Sequence, residues 1–166
     1  MTVRLLIALT LLTGCSSGGA QVTRTLQISP ERLAEIRSKP YTGGNGPGGF
    51  SAAALSVPKD GTGPQGIAFT GFGPWLHEMG FTPNMMITAI DGTNVVEIFT
   101  DRWMTLRLQA PDAFDAAHYK DFIEYLFAKE PGDSVAISLH VERSPADLVA
   151  GITPEESQVW RIDFLR

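Results

Sequence analysis

The chain of 166 residues has one cysteine, Cys15. No intramolecular disulfide can form, and a cysteine-rich metal site is excluded. Three histidines, His77, His118 and His140, lie far apart, with no HxH or HxxxH spacing to ligate a metal. Basic residues are few: 13 Lys and Arg stand against 18 Asp and Glu, for a net charge of −5. They form no cluster, so a nucleic-acid partner lacks its electrostatic footprint. The mild acidity favours solubility. Catalytic turns are also missing. No GxSxG or GDSGG-like sequence occurs, and Ser134 sits in a helix-to-strand turn. Asp91-Gly92-Thr93, the aspartic-protease triplet, occurs once and reads as a hairpin turn. Glu97, Asp101 and Asp112 have no paired glycosidase spacing. The glycine-dense residues 41–49 (YTGGNGPGG) lack the GxxxxGK[ST] pattern of a phosphate loop. No cofactor is implied, and a small hydrolase is only a remote alternative.

What is present suits one domain with a proper core: 43% hydrophobic and 19% charged residues. The N-terminus reads as an export signal, residues 1–14. Arg4 supplies the positive charge, and residues 5–12 form an apolar run too short to span a bilayer. The run ends in Leu12-Thr13-Gly14-Cys15. This resembles the lipobox of bacterial lipoproteins, which implies acylation of Cys15 and insertion of its acyl chains in a lipid bilayer. More than one chain is what stable anchoring requires. Ser16, in place of an Asp, points to the outer membrane rather than the inner, facing the periplasm.

Residues 15–49 read as a lipid-anchored tether, a short helix and a glycine-rich linker. Residues 22–28 alternate as a strand. Ser29-Pro30-Glu31 announces a helix that stops before Lys39-Pro40. This unit is expected to be an appendage to a domain over 50–166. In that domain, residues 50–57 read as a strand and Asp60-Gly61 as a turn. The run Gly66-Ile67-Ala68-Phe69-Thr70-Gly71 follows, then a short helix over 75–79 stopped by Gly80. Next come a turn at Thr82-Pro83-Asn84, an apolar run over 85–90 and a tight turn at Asp91-Gly92. Residues 95, 98 and 99 are β-prone. Residues 102–108 alternate, Trp103 and Thr105 against Met104, Leu106 and Leu108, and read as an added hairpin strand or an extended element. Residues 115–129 carry Tyr119, Phe122, Ile123, Leu126 and Phe127 at helical spacing. Residues 135–141 and 159–164 alternate as strands.

This order of elements resembles a PDZ domain of bacterial type, such as that of the type II secretion C component. Gln65-Gly66-Ile67 running into Ala68-Phe69-Thr70-Gly71 looks like the carboxylate-binding loop and peptide-binding strand. Residues 79–92 (MGFTPNMMITAIDG) are similar to the strand-and-hairpin signature. Pro131-Gly132-Asp133-Ser134-Val135 and Val141-Glu142-Arg143 match the closing turn and strand. Gln65 stands where an apolar residue is usual, Asn84-Met85 replaces a Gly-Asp pair, and residues 93–112 are an insertion.

The resemblance implies an α+β fold: a partly open antiparallel β-barrel or sandwich capped by two helices. It implies a peptide groove with one wall at Gln65, Gly66, Ile67, Ala68, Phe69 and Thr70. The other wall is drawn from His118, Tyr119, Phe122 and Ile123, with His118 reading a ligand hydroxyl. An extended peptide can add to a strand edge by main-chain hydrogen bonds, and backbone N–H groups at Gly66 and Ile67 suit a carboxylate. The expected function is that of an envelope lipoprotein that binds a peptide or protein partner without catalysis. The alternative is a docking component of a secretion or envelope-assembly complex that captures no peptide.

Overall fold

A serine, a proline and an acid start a helix where the first strand stops. In the computed structural model, which describes residues 22–38, 52–71, 74–109, 114–142 and 156–166, β1 (Val22–Ile28) leads into α1 (Pro30–Ser38). The Ser29 hydroxyl accepts from the Arg32 backbone N–H at 3.2 Å, a cap worth about 1 kcal/mol. In the same turn Glu31 is held below the ordinary carboxylate range by its own backbone N–H and by Ser29. Cys15, the export segment and the glycine-dense residues 41–49 lie outside the described residues.

The remaining elements are β2 (Ala52–Ser56), β3 (Gly66–Gly71), α2 (Pro74–Glu78), β4 (Met85–Ile90), β5 (Thr93–Asn94), α3 (Val95–Gln109), α4 (Phe114–Leu126), β6 (Ser134–Val141) and β7 (Glu156–Phe164). The seven strands form one sheet, ordered β1-β7-β6-β4-β3-β2, with β5 paired to β4. All pairings are antiparallel except β1 with β7. The core joins strand residues Ile67, Phe69, Ile87, Ile137, Trp160 and Ile162 to helix residues Phe99, Trp103, Tyr119, Phe122 and Leu126.

Turns follow local chemistry. Gly80, at φ +89°, ends α2. Its N–H donates to the His77 carbonyl, and that of Phe81 donates to Leu76. This is the paired bonding of a glycine-terminated helix, with buried Phe81 packing below. At the β4–β5 hairpin, Asp91 (φ 49°) and Gly92 (φ 80°) both adopt the left-handed backbone that a two-residue turn demands. The Asp91 carboxylate accepts from the Ala136 backbone N–H at 2.8 Å and from Lys129 Nζ at 2.9 Å. Asn tolerates left-handed backbone far better than Ala. We expect Asp91→Ala to cost about 2 kcal/mol in urea unfolding and Asp91→Asn less than half of that. The Asp91 hydrogen bond raises the Lys129 pKa above 10.5. The pair's contribution is therefore complete below that pH and is lost as pH rises through the higher folded-state pKa.

Three expectations are corrected. The sheet is open, not closed into a barrel. Residues 22–38 are no appendage, because β1 extends the sheet alongside β7 while Leu33 and Ile36 of α1 are buried in the common core. Arg37 also reaches the end of α4, donating to the carbonyls of Phe127 (3.0 Å) and Lys129 (2.6 Å). Finally, residues 102–108 are not a strand. They complete α3, whose buried residues Val95, Phe99 and Trp103 recur every four positions. Asn94 caps it, its side-chain oxygen accepting from the Val96 N–H at 2.8 Å.

Candidate functional site

The helical stripe on α4 meets the apolar residues of β3. Phe69 stands edge-on to Tyr119, ring centroids 6.4 Å apart, and to Phe122 at 5.4 Å. Phe99 of α3 approaches Phe122 at 6.1 Å. Ile67, Phe69, Tyr119 and Phe122 are thus brought together as sequence reasoning expects, but as a closed core. Ile67, Tyr119 and Phe122 are fully buried and Phe69 nearly so.

The other expected groove residues divide. Gln65 is half-buried ahead of β3, and Ala68 is half-buried within it. Gly66 packs directly against the backbone of β4 at Ile87. The Thr70 side chain lies outside the described residues. Ile123 turns towards α1, where it lines a pocket of about 130 Å³ with Ile36, Arg37, Glu124, Phe127 and Ala128. A second pocket, lined by residues that include Leu26, Arg32, Glu78 and Met79, lies between β1, α1 and α2. Neither adjoins β2.

His118 is placed differently from the expected hydroxyl reader. It is buried and stacks on the Trp103 indole, centroids 4.3 Å apart and planes within 6°. Its Nε2 lies 3.2 Å from the Trp103 carbonyl oxygen. A carbonyl only accepts, so Nε2 carries a proton and donates. Beside it Asp121 accepts from the Trp103 indole N–H at 3.0 Å and from Arg102 Nε at 3.1 Å, with Arg102 Nη2 completing a fork. This hydrogen bonding raises the Arg102 pKa further. The network ties α3 to α4, and Asn94 was the local signal that a helix begins there.

The free strand edge also moves. β3 is interior, with β2 along one side and β4 touching it at Ile67↔Ile87. Among the described residues β2 pairs with β3 alone and ends the sheet, with α4 packed alongside it. A strand with one unpaired row of N–H and C=O groups, next to a helix, is the arrangement that accepts an added strand. Ala53 of β2 is buried, whereas Ala54, Leu55 and Ser56 are half-buried. Among the described residues, no group of three His, Cys, Asp or Glu side chains is placed to hold a metal.

No protein-family model, curated protein or solved structure matches this chain.

Proposed function

We propose that this chain is a lipid-anchored envelope protein whose PDZ-like domain captures an extended peptide segment along the outer edge of β2, without catalysis. The observation that carries this reading is that β2 pairs on one side only among the described residues, with α4 alongside. Main-chain bonds to that edge supply affinity that depends little on sequence, and side chains lodging between strand and helix supply selectivity. The Leu12-Thr13-Gly14-Cys15 sequence supports acylation at Cys15.

Successive residues of an edge strand direct their N–H groups to opposite sides. One of Ala54→Pro and Leu55→Pro therefore removes a donor from the free edge, and the other removes one from the β2–β3 ladder. For a peptide selected from a displayed random library, we expect the folded variant of the two to bind at least about tenfold more weakly, one ladder bond being worth roughly 1.4 kcal/mol in this setting. Unchanged affinity in both variants refutes edge capture.

A second reading, docking within an envelope complex without peptide capture, is favoured by α3. Met104 and Leu108 lie four residues apart on that helix, both exposed. Under that reading Met104→Glu with Leu108→Glu disrupts assembly while the β2 proline variants leave it intact.

A further inference from the structure

The sheet has a second open edge. Among the described residues β1 pairs with β7 alone. The Leu165 N–H donates to the Ile28 carbonyl, so Ile28 directs its main-chain groups at β7. Successive strand residues direct these groups to opposite sides. Leu26 therefore faces β7 as well, and Thr25 and Gln27 present their N–H and C=O groups outward. The devices that protect an edge are sparse here. The strand has seven residues, no proline and one charge, Arg24, and its one irregularity lies at the start, between Val22 and Arg24. A cleft of about 200 Å³ opens beside this edge. Consecutive residues Leu26, Gln27 and Ile28 line it, so the strand itself forms one side, and Ile36 of α1 and Met79 add apolar wall. Arg32 and Glu78 stand at its rim. Arg32 pairs with both Glu78 and Glu35, which leaves the rim one negative charge in excess.

We infer that β1 is covered by β1 of a second copy of this chain, antiparallel to it about a two-fold axis through Leu26. Such an interface is isologous, the same residues contributing from both sides. In this register Thr25 stands opposite Gln27 of the second copy, and Gln27 opposite its Thr25. These are the residues with outward groups, and each such pair exchanges two main-chain bonds. Leu26 faces Leu26 of the second copy as a non-hydrogen-bonded pair, the closer of the two kinds. The two side chains, each only partly buried in one copy, then close the two clefts at the axis. Arg24 of the second copy stands opposite Ile28, beside the rim that is short of one positive charge. Moving the axis to Thr25 would set Thr23 against Gln27 and bring the irregularity at the strand's start into the pairing. Register and charge together select a second copy over an unrelated strand. The joined sheets leave β2 free at both outer ends, so this contact and the β2 edge do not compete.

The test uses the full chain at about 100 μM, where a contact of micromolar affinity is populated. Light scattering, corrected for any bound detergent, is expected to give twice the mass of one chain. Thr25→Pro removes an outward N–H from each copy without touching the β1–β7 ladder. It is expected to raise the dissociation constant at least about tenfold. Under mild oxidation Leu26→Cys is expected to link two copies, its Cα atoms lying about 4.5 Å apart across the axis, within disulfide reach. Thr23→Cys, roughly 20 Å from its counterpart, should link no more than the native chain, whose Cys15 sets the background. A single-chain mass at this concentration overturns the inference. So does a dimer that a folded Thr25→Pro leaves unchanged, or one in which positions 23 and 26 link equally, since another surface then joins the copies. If Thr25→Pro unfolds, the comparison of positions 26 and 23 decides alone.

Discussion

Gly66→Ala is expected to lower stability by about 3 kcal/mol, with a fall in Tm of about 10 °C. A Cβ at this position would meet the Ile87 carbonyl oxygen and lie 2.6 Å from Met86 Cγ and 3.0 Å from the Ile87 carbonyl carbon. Met86 can shift, since its thioether chain is flexible. The Ile87 carbonyl cannot, because it belongs to the backbone of β4, the strand that pairs with both β3 and β6. Relief therefore requires β3 and β4 to separate at Ile67↔Ile87, the register that joins the two halves of the sheet. Gly61→Ala makes the contrast. Nothing crowds that position, and the strain comes only from its φ of +70°, worth about 1 kcal/mol. Thermal and urea melts of the two variants read the difference directly. Equal and small losses would mean that Gly66 is not at a close approach.

Phe122→Ala is the second large effect, at about 3–5 kcal/mol. Phe122 is fully enclosed between Phe69 of β3 and Phe99 of α3. Truncation leaves a cavity at the point where two helices and the sheet meet, and edge-on ring contacts are lost as well. The variant should melt early and lose near-ultraviolet dichroism from the surrounding aromatics. A groove-lining residue would behave otherwise. It would leave the melting temperature within a degree or two and change only ligand binding. That second outcome would return Phe122 to the ligand wall.

Much of the fold was legible where one local rule acts without competition. Ser29-Pro30 starts α1, Gly80 stops α2, and Asp91-Gly92 turns β4 into β5. The stripe Tyr119, Phe122, Ile123, Leu126, Phe127 marks α4, because five apolar residues at helical spacing fit no strand. α3 was misread for a physical reason. Over residues 102–108 the apolar positions happen to alternate, which in so short a window satisfies a strand as well as a helix. The longer spacing Val95, Phe99, Trp103, starting at the Asn94 cap, decides for helix. The place of β1 was not legible either. Its partner β7 lies more than a hundred residues away and runs parallel to it, and such pairing leaves no local trace.

The candidate site shows the same division. The two walls expected from the sequence are a strand and a helix, and the helix is α4, which packs alongside β2. β3 was taken for the other because Gln65-Gly66-Ile67 running into residues 68–71 resembles a carboxylate-binding loop and peptide-binding strand. Apolar content marks burial, and burial put β3 inside the sheet. The edge went to β2, whose small residues Ala52, Ala53 and Ala54 gave little signal. His118 was likewise assigned by position on α4, whereas the indole of Trp103, from a helix taken for a strand, covers it.

The most direct test of edge capture is an amide-shift map. Peptides selected from a displayed random library are titrated into ¹⁵N-labelled protein lacking the export segment and Cys15. The largest perturbations are expected on β2 and on the facing residues of α4, and whichever of Ala54→Pro and Leu55→Pro folds is expected to need at least about tenfold more peptide to produce them. Perturbations centred on the β1 edge or on the outer face of α3, with β2 unmoved, would contradict it.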